Sequence, residues 1–252
     1  MNLSPINVGI IGVFALLGIG FYALLAGLPM LFPWLPGGVV TALVQACGWG
    51  ALFSGLTALY FMHRIYRIKA RPFWNHWQVL TDFYGSMLVL GPLLVVLAYV
   101  PVQLASGEPW SAAAGKLAGI MLPGLLLQAV GLFHHARDLQ RGCGEAQASH
   151  FAQTTTFGKT WLLRNAAMGI AMLLLLLLAA FSPAGVTGVL LWSSAALLIL
   201  LVALIGRALF YALVIPTTLP GAFFWRNRGF EEHAREIGLA EMPQVGVLPG
   251  CH

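Results

Sequence analysis

Residues 161–215 read WLLRNAAMGIAMLLLLLLAAFSPAGVTGVLLWSSAALLILLVALIGRALFYALVI, and Arg164 and Arg207 are the only Asp, Glu, Lys or Arg among them. A helix rises 1.5 Å per residue, so about 20 apolar residues span the hydrocarbon of a bilayer. This stretch holds two such runs, 161–182 and 186–215, joined at SPAG. A water-soluble domain has no surface on which to leave them. The stretch therefore predicts two antiparallel membrane helices joined by a tight turn.

The same pattern extends through the chain. Of 252 residues, 59% are hydrophobic and 8% are charged, where a soluble domain carries about 25% charged residues. Mean hydropathy is +0.84. Further spanning runs cover roughly 6–31, 38–63, 79–101 and 115–135. The expected fold is thus all-α: a polytopic membrane bundle of six transmembrane helices over residues 1–217, with a tail over 218–252. The first run lacks a basic leader and a small-residue cleavage site, so it reads as a retained helix. Pro and Gly inside the runs, as at Gly91-Pro92 and Pro123-Gly124, are tolerated where neighbouring helices satisfy the freed backbone groups.

Charge sets the orientation. Arg64, Arg67, Lys69 and Arg71 follow the second run; Arg137, Arg141 and Lys159 follow the fourth; Arg226, Arg228 and Arg235 lie in the tail. The opposite loops hold only Lys116 and Glu108. The positive-inside rule puts the loops 64–78 and 136–160 and the tail in the cytoplasm, and six spans then put the N-terminus there too. The net charge of +5 is spread over these loops and makes no nucleic-acid-binding run. Cys47, Cys143 and Cys251 are far apart, with no zinc, iron–sulfur or disulfide spacing.

Polar groups inside or beside the runs are the candidates for function. Ionisable residues within a membrane mark functional sites by default. Asp82 and Arg207 are the clearest, and a structural Asp–Arg pair is the plain alternative. Arg207 and Tyr211 are four residues apart, on one helix face. Arg64, Tyr66, His76, His134, His135 and Arg164 sit near the same membrane face. For these the plain readings are topology determinants, an interfacial aromatic belt and packing. His63, His76, His134 and His135 cluster at the boundary, whereas a bis-histidine haem b within a bundle needs ligands farther from the helix ends; haem b is the weaker reading. No nucleophile triad, HExxH or phosphate-cradling loop occurs. No inverted repeat marks a transporter or proton channel, which stays as the alternative class.

The segment 64–94, RIYRIKARPFWNHWQVLTDFYGSMLVLGPLL, resembles the stretch joining two helices in membrane-anchor subunits of the dimethyl sulfoxide reductase family. It supplies the family's Arg-x-Tyr (Arg64, Tyr66), Pro-x-Trp (Pro72, Trp74) and Gly-Pro-Leu-Leu (Gly91–Leu94). Residues 205–227, IGRALFYALVIPTTLPGAFFWRN, are similar to its closing Gly-Arg-x-x-Phe-Tyr helix (Gly206, Arg207, Phe210, Tyr211), and Trp161-x-x-Arg164 is a third match. The resemblance runs from about residue 6 to 235. It implies an anchor in the bacterial inner membrane. Such an anchor docks a ferredoxin-like iron–sulfur subunit, itself bound to a molybdopterin catalytic subunit, and exchanges electrons with a quinone, menaquinone or ubiquinone. Iron–sulfur clusters and molybdopterin then belong to the partners. Around the quinone head group or the docking surface, the expectation places Arg64, Tyr66, His76, Asp82, His134, His135, Arg164, Arg207 and Tyr211. A cytoplasmic partner favours a sulfite dehydrogenase passing electrons to quinone; a terminal reductase oxidising quinol, or a tether with no quinone site, are the alternatives. Family anchors have eight helices. The expectation here is six, lacking counterparts of the first two and of the quinone-associated histidine on the second.

Overall fold

The computed structural model describes residues 18, 27, 34, 36–68, 71–142 and 144–214. Its elements are α1 (Gly37–Tyr66), α2 (Gln78–Ser106), α3 (Ser111–Arg141), α4 (Glu145–Thr154), α5 (Gly158–Phe181) and α6 (Gly185–Ala212), with no strand among the described residues. All but α4 are long and apolar enough to cross a membrane, which makes five such helices among the described residues. The expected first span, 6–31, lies for the most part outside the described residues, and the tail 218–252 lies wholly outside them.

The helices outrun the apolar segments that announced them. Expected spans 38–63, 79–101 and 115–135 become helices of 30, 29 and 31 residues. Hydropathy marks only the part of a helix that sits in hydrocarbon. The backbone ladder continues into the headgroup layer, where Arg and Gln are good helix formers. About 30 residues at 1.5 Å match the 40–45 Å of a bilayer with its headgroups. The expected loop 64–78 accordingly includes helix ends: α1 runs to Tyr66, α2 starts at Gln78, and residues 71–77 turn before it. The loop 136–160 is likewise largely helical, because α3 continues to Arg141 and α4 occupies Glu145–Thr154. On the opposite side α2 ends at Gly107, whose φ of 73° is the left-handed cap that glycine adopts without strain.

The chain divides after Arg67 into two compact units. The first contains α1. In the second, α2 packs along α3, α3 along α5 and α5 along α6, and α6 also touches α2. Its core includes Leu93, Met121, Leu125, Leu175, Leu178 and Ile199. Lipid is as apolar as leucine, so membrane helices associate through close packing of small residues. Gly85 and Gly124 show this at the α2–α3 contact. A Cβ on Gly85 would lie 2.7 Å from the Gly124 carbonyl oxygen, and one on Gly124 would lie 2.8 Å from both Leu88 and Val89 side-chain carbons. Outward-facing Leu94, Leu173, Leu190 and Leu197 are exposed, as a lipid-facing surface requires.

Candidate functional site

One end of the second unit contains a cavity of about 290 Å³. Helical spacing builds its walls. Gln78, Asp82, Ser86 and Leu90 recur every four residues along one face of α2, and all four line it. At spacings of three and four residues, Gln128, Leu132 and His135 line it from α3, Arg164 and Met168 from α5, and Leu200, Leu204 and Arg207 from α6. Gln153 enters from α4 and Phe73 from the turn before α2. The cavity is polar where Gln78, Asp82, His135, Gln153, Arg164 and Arg207 meet. It becomes apolar toward Leu90 and Leu200, deeper along the helices. Gln78 to Leu90 is twelve residues, or about 18 Å of helix.

Its charges are sparsely paired. Arg207 Nη1 lies 3.6 Å from Asp82 Oδ2, with side chains 40% and 23% exposed. The Arg207 guanidinium also sits 4.8 Å from the centre of the Phe83 ring, in cation–π range. Arg164 is 6% exposed. Its Nε and Nη2 donate to a single acceptor, Asn165 Oδ1, at 3.1 and 2.9 Å. A guanidinium has five N–H donors; three of Arg164's have no hydrogen-bond acceptor among the described residues. Gln128 Nε2 donates to Ser86 Oγ at 3.0 Å. Gln78 Oε1 is buried with no donor among the described residues.

A framework of rings and hydrogen bonds holds the polar end. His135 Nε2 donates to the Phe73 carbonyl at 2.9 Å; a carbonyl only accepts, so the proton is on Nε2. The Gln78 backbone N–H donates to His76 Nδ1 at 3.0 Å, which leaves His76 Nε2 to donate to Asp138 Oδ2 at 3.0 Å. The His76 and His135 ring centres are 4.9 Å apart. Trp74 Nε1 donates to the Phe210 carbonyl at 2.9 Å and stacks on the Phe210 ring at 5.4 Å. The turn at 71–77 is thereby pinned to both α3 and the end of α6.

The structure brings four of the sequence candidates to the cavity wall: Asp82, His135, Arg164 and Arg207. His76 stands behind His135. His134 is exposed, its ring 5.5 Å from Trp77, and Tyr211 is exposed against Trp74; neither lines the cavity. Arg64 and Tyr66 close α1 in the first unit, Arg64 exposed and Tyr66 half-buried. Gln78, Ser86, Gln128 and Gln153 are additional wall residues. The four-residue rhythm Gln78–Asp82–Ser86 was available to find the first two. Gln153 had no such signal, because it belongs to a helix hidden in a presumed loop. No cluster of three or more His, Cys, Asp or Glu able to hold a metal occurs among the described residues.

Residues 17–213 match the family model described as DMSO reductase anchor subunit (DmsC). Neither the curated proteins nor the solved structures contain a match.

Proposed function

Because the chain belongs to the DMSO reductase anchor subunit (DmsC) family, and is therefore a multi-pass membrane anchor of a molybdopterin oxidoreductase, we propose that its cavity binds the head group of a membrane quinone. The carrying observation is the sparsely paired Arg164 at the polar end of a chamber that grades into apolar helix faces. A quinone has two carbonyl oxygens on a flat ring and an apolar tail, and when bound it would exchange two electrons and two protons. Arg164 supplies charge-assisted donors for one oxygen. Arg207, held by Asp82, supplies donors on the opposite wall. Asp82 is an ionisable group close enough to exchange a proton with a ligand there. The neutral amides of Gln78, Gln128 and Gln153 fix the ring plane, and Leu90, Leu200 and Leu204 receive the first part of the tail. Helix faces filled by buried leucine and methionine exclude water from the deeper part.

In this reading the complex sits in a bacterial inner membrane. The cation-rich ends of α3 and α5 face the cytoplasm and offer a docking surface to a ferredoxin-like iron–sulfur subunit, which carries electrons to or from a molybdopterin subunit. A cytoplasmic partner fits oxidation of a sulfur compound such as sulfite, with quinone as acceptor.

The test is purification of the tagged chain in mild detergent, identification of co-purifying subunits by mass spectrometry, and titration of the complex with a short-chain quinone analogue. The expected result is recovery of an iron–sulfur and a molybdopterin subunit, with saturable analogue binding. Recovery of both subunits without analogue binding would mark a plain tether. Recovery of the intact chain alone would overturn the anchor role for this chain.

A further inference from the structure

The short helix α4 is inside out. Its sequence, EAQASHFAQT, buries Glu145, Ser149 and Gln153, which are 7%, 0% and 5% exposed, and leaves Phe151 67% exposed. These three polar residues recur every four positions, so their side chains form one continuous stripe, roughly 12 Å long at 1.5 Å per residue. The stripe faces inward where α4 packs on α3 and α5. Its inner end, Gln153, is part of the cavity wall. Along it, Glu145 Oε1 and Ser149 Oγ are buried with no hydrogen-bond partner among the described residues, and so is Nδ1 of the neighbouring His150. Burying such groups dry is costly, about 1–3 kcal/mol each and more for a charge. A helix that could have turned Phe151 inward and its polar face outward does the reverse. Buried water is what satisfies polar atoms of this kind in folded proteins.

We propose that the buried face of α4, Glu145–Ser149–Gln153, is a hydrated route by which protons pass between the aqueous phase and the cavity. This rests on the reading of the cavity as a quinone site. Two electrons and two protons separate a quinone from its quinol. The electrons travel by way of the iron–sulfur partner subunit; the stripe carries only the protons, drawn from or released to water at the Glu145 end. Glu145 is a proton-exchanging group at the entrance, Ser149 a hydroxyl that both donates and accepts, and Gln153 the delivery point facing Asp82 and Arg164 across the cavity. The other titratable groups on the elements packed around α4 are His134, His135, Arg137, Asp138 and Arg141 on α3, with Lys116 at its far end, Lys159 and Arg164 on α5, and His150 on α4 itself. Of these, Asp138 is already bonded to His76 and His135 to the Phe73 carbonyl.

The experiment uses the intact complex with its partner subunits and compares wild type with Glu145→Gln and Ser149→Leu. Glu145→Gln keeps the shape and removes the exchangeable proton; Ser149→Leu fills the seam. Three quantities are read: turnover with a short-chain quinone, turnover with a redox dye that reacts at the catalytic subunit, and hydroxyl-radical labelling of His150 in quinone-free complex. Expected is a loss of quinone-linked turnover of at least about tenfold in both variants, with a changed pH profile and a larger solvent deuterium effect. Dye-linked turnover and affinity for the quinone analogue stay within about twofold of wild type. His150, half-buried with its Nδ1 against the stripe, is labelled in wild type and loses its label in Ser149→Leu. Quinone-linked turnover within twofold of wild type and an unchanged pH profile in both variants would overturn the proton route while leaving the quinone site standing. A wild-type complex that neither binds the analogue nor turns it over would overturn the quinone reading, and this inference with it.

Discussion

Replacing Arg164 by Gln tests the cavity at its most exacting point. The wild-type guanidinium is almost wholly buried and gives two of its five donors to one oxygen, Asn165 Oδ1. Its other donors have no acceptor among the described residues, and Arg164 lines the cavity, where in the proposed reading an acceptor of the ligand completes them. Hydrogen bonds from a charged donor contribute about 1.5–3 kcal/mol each, so losing one such bond weakens a quinone analogue by about 10- to 150-fold. Folding does not suffer in proportion. Gln removes a buried charge whose nearest hydrogen-bonding partner is neutral, and Arg207 remains 3.6 Å from Asp82 to balance it. The melting temperature in detergent therefore holds or rises. Lys at the same position keeps the charge but loses the flat fork and recovers only part of the affinity. Asn165→Ala leaves the donors in place but frees their direction, for a smaller loss of about 3- to 10-fold. The assay is equilibrium titration of the purified complex with a fluorescent or radiolabelled analogue, with thermal unfolding run in parallel. An Arg164→Gln complex that binds as tightly as wild type, at unchanged stability, refutes the assignment of Arg164 to the ligand.

Three further outcomes follow from the packing. A double-mutant cycle on Asp82→Asn and Arg207→Gln gives a coupling of about 0.5–1 kcal/mol in unfolding free energy, modest because both side chains are partly exposed; zero coupling would mean that the two charges do not interact. Gly124→Val drives a side chain into Leu88 and Val89 and lowers stability by about 1–3 kcal/mol, whereas Gly119→Ala, with nothing within 4 Å of its added Cβ, changes it little; equal melting temperatures would show that α2 and α3 do not approach as described. Trp74→Phe keeps the stack on Phe210 and loses the 2.9 Å bond to its carbonyl, for about 0.5–1.5 kcal/mol; limited proteolysis near residues 71–77, unchanged in the variant, would argue against that bond as the pin.

Periodicity and hydropathy in the sequence determine that this protein is helical and that it crosses a membrane, because the bilayer imposes one length and one composition on every spanning segment. The ordered motifs at 64–94, 161–164 and 205–227 determine its family for a similar reason: they occupy the segment ends where polar and aromatic residues are not interchangeable. The sequence also singles out Asp82 and Arg207 as intramembrane ions. It does not reveal that Asp82 and Arg207 face each other, since their meeting depends on α2 and α6 packing 125 residues apart in the chain. Nor does it separate His135 from His134. Adjacent residues on a helix point about 100° apart, so one ring is buried against Phe73 and the other faces outward. The helix α4 is the largest element that only the tertiary structure decided. Its ten residues carry no apolar stripe, because the face it buries is polar, and a pattern rule that equates inward with apolar reads such a segment as loop. That face joins, at Gln153, a cavity lined by Asp82, Arg164 and Arg207 and assembled from four other elements, a polar neighbourhood that only the packing of α2, α3, α5 and α6 creates.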